Sequence, residues 1–339
     1  MLLPSSSRWL VGVSALLALP AAMANERVQV VTSFSILADM VENVGGEHVE
    51  VASLVAADGD AHVYSPTPGD ARALSDADVV IFNGLLFEGW MERLIDASDY
   101  DGVLVTATDG IEKLGRRDAH GHEDHGYDEP SHDDAHDGHD HGSDDPHAWQ
   151  DLRQAKVYVT NIRDGLIDAD ANNADAYRDN AERYLAEIDQ TDAEIRALID
   201  EIPASTSVIT GHDSFGYFSD AYGVRFLSPT GLSTETEPSA ANMARLVDVI
   251  DEENVKALFH ENMTNQSMIT QLAEETGIPI AGTLYADALE AEGEASTYLG
   301  MMRHNAHALN DALAQPGHDD HDHDDHDHDH DHDHDDHSH

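Results

Sequence analysis

Apolar residues along the chain fall into short solid or alternating blocks, separated by stretches of helical spacing. Residues 28–32 read as a short apolar strand, and 33–44 carry apolar positions at helical spacing up to the Gly45-Gly46 stop. Residues 49–55 alternate like a strand. After a loop rich in Asp, Gly and Pro, 69–75 reads as a helix, 79–82 as a buried strand, about 88–97 as a helix and 103–106 as a strand. Strands alternating with helices argue for a parallel sheet covered on both faces. Residues 151–167 are again helical, and a longer helix is predicted over 173–202, where Tyr177, Tyr184, Leu185, Ile188, Ile195 and Leu198 share one stripe. At about 1.5 Å per residue it would span roughly 40 Å, the height of a domain. Pro203 ends it. A second series then begins, with strands at 207–210, 224–227, 255–259 and 278–284, helices at 240–251 and 266–276, and a last helix over 295–314. The pattern predicts an α/β protein of two lobes, 25–172 and 203–317. Each has a parallel sheet flanked by helices, and a long rigid helix joins them. A ligand crevice is expected at the carboxyl ends of the strands.

Two stretches break this pattern. Residues 118–145 hold seven His, eleven Asp or Glu and no basic residue; residues 318–339 hold ten His and eleven Asp, mostly alternating. Neither has an apolar face to offset the entropy of ordering, so both are predicted to be disordered. Imidazoles suit zinc, copper, nickel and cobalt, and the carboxylates add charge attraction. An acidic solubilising tail or an expression tag explains the echo between the two runs less well than metal capture does. The auxiliary capture residues are then His120, His122, His125, His132, His136, His139 and His141 in the loop, and His318, His321, His323, His326, His328, His330, His332, His334, His337 and His339 in the tail.

Composition narrows the partners. The net charge is −51; removing the 22 acids of the two runs from 68 leaves 46 against 17 Lys and Arg. Such a surface repels nucleic acid and anionic lipid headgroups, and its shortage of lysine suggests a salt-loving source. The first 24 residues read as a secretory signal: Arg8 is the positive n-region, residues 9–19 are apolar, and Ala22-Met23-Ala24 is a cleavage site. That apolar stretch is too short to span a bilayer. The chain has no cysteine, hence no disulfide, no thiolate zinc site and no cysteine to carry a lipid. A periplasmic, unanchored monomer without a membrane span is expected.

Seven His lie outside the runs: His48, His62, His147, His212, His260, His304 and His307. Three of these, and one Asp, stand in loops that follow predicted strands or the disordered run. His62 lies in Asp60-Ala61-His62-Val63-Tyr64-Ser65-Pro66-Thr67-Pro68. His147 lies in Asp145-Pro146-His147-Ala148-Trp149, behind a proline that fixes its own φ and biases Asp145 to an extended conformation. His212 lies in Thr210-Gly211-His212-Asp213-Ser214-Phe215-Gly216-Tyr217, and Asp287 in Leu284-Tyr285-Ala286-Asp287-Ala288-Leu289. Two ligands from each lobe would place one ion in the cleft, and three imidazoles with one carboxylate form a tetrahedral set suited to zinc. A lone His after a strand is more often a loop hydrogen-bonder, and Asp287 could equally cap a helix; four such positions together point to a site. Glu261, in Phe259-His260-Glu261-Asn262, is a supporting group or an alternative ligand. His304 and His307 read as a solvated helix face, and His48 as surface.

At these four motifs the chain resembles the zinc- and manganese-type solute-binding proteins of ABC transporters, over essentially the whole mature length. The acidic His-rich loop before the second ligand is typical of the zinc members. The resemblance implies two α/β lobes, a rigid connecting helix, a metal site in the cleft, and delivery to a membrane permease with a cytoplasmic ATPase. Manganese members commonly offer a carboxylate at the third position, where this chain has His212. Three nitrogens favour Zn2+ over Mn2+, the harder ion. A periplasmic zinc chaperone is a further partner compatible with this reading, and cell adhesion a further role. The alternatives are a zinc buffer or metallochaperone without a transporter, a manganese-type binding protein, and a zinc hydrolase. The last needs an open coordination position and a nearby base, and no His-Glu-x-x-His helix is present. No enzyme is expected.

Overall fold

Solid valine and isoleucine blocks cannot sit on a half-exposed surface, and here they become the middle strands of two sheets. The computed structural model describes residues 27–115, 144–235, 239–250 and 252–314. The expected signal segment, the tail and all but two residues of the His-rich loop lie outside them. The first sheet comprises β1 (Val28–Phe34), β2 (Val49–Val55), β3 (Val79–Phe82) and β4 (Val103–Thr106), in the order β2-β1-β3-β4. Every pairing is parallel; Val30 pairs with Val51 on one side and Val79 on the other. The second comprises β5 (Ser207–Ile209), β6 (Arg225–Leu227), β7 (Val255–Glu261) and β8 (Ile280–Leu284), ordered β6-β5-β7-β8 and again parallel. Both sheets thus carry the same strand order, with the first strand of each lobe inside and its carboxyl end facing the crevice.

The helices pack where their apolar stripes require. In the first lobe they are α1 (Ser35–Gly45), α2 (Pro68–Asp76), α3 (Met91–Ser98) and α4 (Leu152–Ala169). Thr67 caps α2 with a reciprocal bond to Asp70, and Pro68 occupies its first turn, where no amide donor is needed. The connecting helix α5 (Ala174–Ile199) has 26 residues, roughly 39 Å. Its buried stripe of Tyr177, Tyr184, Ile188 and Ile195 packs against α4, α1 and α9 (Tyr298–Leu313). One core runs from β1 through α5 and α9 into the second sheet. A smaller one, including Ile209, Leu246, Leu258 and Leu272, lies between that sheet and α7 (Ala240–Val249) and α8 (Ser267–Thr276). Among the described residues no helix is long and apolar enough to cross a membrane.

The boundaries differ from the pattern in several places; the connecting helix, for one, ends at Ile199 rather than 202. Helix α3 begins at Met91 rather than near 88, because Leu85 and Leu86 take left-handed φ of 53° and 62°. The buried Glu88 carboxylate there accepts the amides of Asn83 and Gly84 at 2.8 and 3.2 Å. A seven-residue helix, α6 (Gly216–Tyr222), follows the His212 motif; it is too short to show a period. Helix α9 starts at Tyr298, three residues late, where Thr297 supplies the cap. Finally, Asp144 and Asp145 do not belong to a disordered loop. Asp144 bridges Gly115 in antiparallel fashion, and the Asp145 amide donates to Leu114 O at 2.8 Å.

Candidate metal centre

The two histidines of the first lobe are fixed by hydrogen bonds to near neighbours and by bonds from more distant residues to the carbonyls before them. His62 follows β2: its amide donates to Asp60 Oδ1 at 2.9 Å, and the carbonyl before it accepts from Trp90 Nε1 at 2.7 Å. Its ring packs edge-on against Phe87, with centroids 4.6 Å apart. His147 is held from two sides. Asp145 Oδ1 accepts its amide at 2.9 Å and lies 2.7 Å from its Nδ1. Asn83 Nδ2 donates to Pro146 O at 2.9 Å, while Asn83 Oδ1 accepts the Tyr158 hydroxyl at 2.6 Å. Trp149 then packs against Phe34 and Phe87 at 5.1 and 4.9 Å, closing an aromatic floor. Each of these buried rings contributes about 1.5–3 kcal/mol by leaving water.

In the second lobe the Glu261 carboxylate plays the part of Asp145. Its Oε2 lies 2.7 Å from His212 Nδ1, and its Oε1 accepts the amides of Gly211 and His212 at 3.2 and 3.3 Å. The two glycines of this motif are steric requirements. A Cβ on Gly211 would stand 2.9 Å from Glu261 Oε2, and one on Gly216 would collide with Asp145 Oδ2. In both imidazoles a carboxylate at Nδ1 fixes that nitrogen as donor and turns Nε2 inward.

His62, His147, His212 and Asp287 each present one ligand atom, and these four atoms lie within 4.8 Å of one another. All four residues are 0–5 % exposed. Asp287 Oδ2 is 3.0 Å from His212 Nε2 and 3.3 Å from His62 Nε2; its Oδ1 is 3.7 Å from His147 Nε2. His62 Nε2, His147 Nε2 and Asp287 Oδ1 are buried without a hydrogen-bond partner among the described residues. Unsatisfied buried polar atoms cost about 1–3 kcal/mol each, so three converging on one point need a common partner. Three imidazole nitrogens and one carboxylate oxygen this close together form a donor set that could hold a metal cation.

Protonation is polarised across the cluster. Burial depresses the pKa of His62, an effect Asp287 only partly offsets. For His212, burial works in the same direction, but the Glu261 and Asp287 carboxylates outweigh it and hold the ring well above the usual imidazole range. Burial would raise Asp287, yet the neighbouring His212 and His147 keep it well below the usual carboxylate range.

Glu261 is therefore a hydrogen-bond partner of His212 and not one of the four converging groups. Asp145, read with the His-rich run, is its counterpart on His147; the signal available was a carboxylate two residues before a histidine across a proline. Asn83 carried no signal at all. The remaining histidines stay out of the cluster. His48 packs edge-on against Tyr177 at 6.0 Å, and His260 is half-buried with its Nδ1 unpartnered. His304 is half-buried rather than solvated, with Nε2 3.1 Å from Thr283 O, and His307 is exposed.

Comparison with known proteins points the same way on fold and divides on metal. Residues 30–312 match the family model described as zinc-uptake complex component A, periplasmic. The chain is 34 % identical over 293 residues to the manganese-binding lipoprotein MntA of Halalkalibacterium halodurans, covering 86 % of this chain and 90 % of that one. It is 32 % identical over 297 residues to MntA of Bacillus subtilis, covering 86 % and 91 %. Among solved structures, the periplasmic zinc-binding protein TroA of Treponema pallidum superposes with a TM-score of 0.75 at 27 % identity, covering 85 % of this chain and all of that one.

Proposed function

Because this chain belongs to the periplasmic zinc-uptake component A family, the metal-binding proteins that serve ABC transporters, we propose that its cleft captures one Zn2+ and presents it to a permease. The family is one of binding proteins, not enzymes. The observation that carries the zinc reading is the donor set: three imidazole nitrogens and one carboxylate within 4.8 Å. Nitrogen donors favour zinc over manganese, which prefers carboxylate and water. Four protein ligands also suit a closed tetrahedral site.

In this reading His62, His147, His212 and Asp287 hold the ion, and Asp145 and Glu261 keep two imidazoles in the binding tautomer. The His-rich loop and tail gather ions and pass them inward by ligand exchange. Export by the signal segment places the protein in the periplasm; the cysteine-free sequence suggests a soluble form, whereas several relatives are named lipoproteins. The second reading, manganese uptake, is favoured by the names of those two relatives.

Titration calorimetry separates them. Protein lacking residues 118–142 and 318–339 is expected to bind one zinc tightly and manganese far more weakly, while the full chain takes up additional weak zinc. Tighter manganese than zinc would establish the second reading. Loss of the tight site on truncation would make the runs the binding element and the protein a buffer.

The supporting carboxylates give a finer test. Glu261→Gln and Asp145→Asn should each lower zinc affinity by roughly 10–100-fold, the usual effect of disturbing a ligand's hydrogen-bond partner. Competition against a chelating dye reads this directly. An unchanged affinity in both would remove the tautomer argument.

A further inference from the structure

Four ligands buried this deeply cannot release an ion without parting, so the bonds around them decide which one leaves. Chain order gives each lobe two ligands. The hydrogen bonds divide them differently. Asp287 lies in the segment 285–291, after β8 and nominally in the second lobe. Yet Ala286 O accepts from Trp149 Nε1 at 2.9 Å and from Gln150 Nε2 at 2.8 Å. The Leu289 amide donates to Ser35 Oγ at 3.0 Å, and its carbonyl accepts the Asp58 amide at 2.9 Å. The Ala291 amide donates to Asp58 Oδ2 at 3.3 Å. Every one of these partners belongs to the first lobe.

The chain beyond is shared between the first lobe, the connecting helix and the second sheet, where His304 Nε2 lies 3.1 Å from Thr283 O of β8. At the start of α9, the Tyr298 amide donates to Asp39 Oδ2 at 3.0 Å, and its hydroxyl to Trp149 O at 2.5 Å. Arg303 reaches Glu194 and Thr191 on α5 at 2.8 and 2.7 Å. From the second sheet, by contrast, Asn262 Nδ2 offers Ala288 O a 3.3 Å bond, and His212 meets Asp287 itself. His212 itself is tied to the second lobe, although five residues further on the Tyr217 hydroxyl accepts the Leu114 amide at 2.9 Å and donates to Glu112 O at 3.3 Å in the first lobe. Beyond the two bonds of His212 to Glu261 of β7, the flanking amides of Thr210 and Asp213 donate to Leu227 O and Gly231 O, both at 3.1 Å and both in the second lobe.

We propose that Asp287 is docked on the first lobe by Trp149, Gln150, Ser35 and Asp58, so that opening the cleft withdraws His212 with Glu261 from the other three ligands. The partition is three to one, and it rests on the metal-ligand reading above. Asp58 is a positioning residue in this scheme. Its left-handed φ of 58° lets one residue offer its amide to Leu289 and its carboxylate to both Ala291 and Asn262. A strand-end ligand that stays with the opposite lobe leaves a three-ligand site on the open protein. The arriving or departing ion then exchanges at a single imidazole.

The absence of cysteine makes this measurable on the full chain, because introduced pairs take spin labels without background. Glu47, Glu274 and Glu292 are exposed, on the first lobe, on α8 and beside the docked segment respectively. With Glu47→Cys/Glu274→Cys and Glu47→Cys/Glu292→Cys, pulsed dipolar distances are compared in metal-free and zinc-saturated protein. The first distance should change on loading while the second stays fixed. Parallel changes in both, or no change in either, overturn the partition. A chelator competition on the same samples keeps the two readings apart: without a tight zinc site, the metal-ligand reading fails and the partition with it. Asp58→Ala should broaden the second distance distribution and speed zinc dissociation by about 10-fold, with Asp58→Asn restoring both. Wild-type behaviour in Asp58→Ala would overturn the positioning role.

Discussion

His212→Ala is expected to weaken zinc binding by roughly 100- to 1,000-fold. Zinc held by four protein ligands binds with about 10–16 kcal/mol, so one ligand carries roughly 3–4 kcal/mol, and each 1.4 kcal/mol is a factor of ten. His212 stands at the larger end because it also neutralises its surroundings. Its ring lies between Glu261 Oε2 at 2.7 Å and Asp287 Oδ2 at 3.0 Å, and both carboxylates are fully buried. Removing the ring leaves two buried acids without their shared donor, so the metal-free protein should also melt at a lower temperature. Zinc should then give little thermal stabilisation where wild type gains several degrees. His307→Ala is the control: it is an exposed histidine outside the cluster and should bind zinc as wild type does. Equal affinities for His212→Ala and His307→Ala would show that the tight site lies elsewhere.

Much of this arrangement is legible in the sequence. Apolar blocks such as residues 79–82 and 257–259 have only one place to go, the interior of a covered parallel sheet, so the two-lobed α/β architecture follows from their spacing. The four cleft residues were legible because each sits in a distinctive loop after a strand or beside the His-rich run. What stayed hidden depends on contacts between distant residues. Leu85 and Leu86 look like the start of a helix, and only the buried Glu88 carboxylate beneath the turn explains why α3 begins later. Asp145 has the composition of the run it ends, and its bond to His147 is a fact of folding. The docking of residues 285–291 on the opposite lobe has no sequence period at all, since five hydrogen bonds from four dispersed residues produce it.

Zinc affinity should rise steeply with pH through neutrality, rather than level off just above the usual imidazole value of about 6.5. Two imidazoles of the cluster, His62 and His212, are poised in opposite senses. Burial keeps His62 neutral and its lone pair available. Burial also works against the charged form of His212, but Glu261 and Asp287 overcome it, so in the metal-free protein this ring holds its proton above the ordinary range. Zinc must displace that proton. Each pH unit below the raised value therefore costs about tenfold in affinity per proton released. From about pH 7.5 to 5.5 the affinity should fall at least about 100-fold, and at pH 7 calorimetry in two buffers of different ionisation enthalpy should count about one proton per zinc. Stability of the metal-free protein runs the other way. The His212 contribution is fully present below the unfolded value of about 6.5 and is lost as pH rises through its raised folded value. The Asp287 contribution is present above its ordinary value of 3.8 and is lost only as pH falls through its depressed one. Between those limits the charged pair steadies the open site, and above them zinc takes over its role. The melting-temperature gap between zinc-loaded and metal-free protein should accordingly widen from about pH 6 to 8. A gap that stays constant over that range, with affinity flat from pH 5.5 to 7.5, would mean that His212 does not release a proton when the metal binds and is not its ligand.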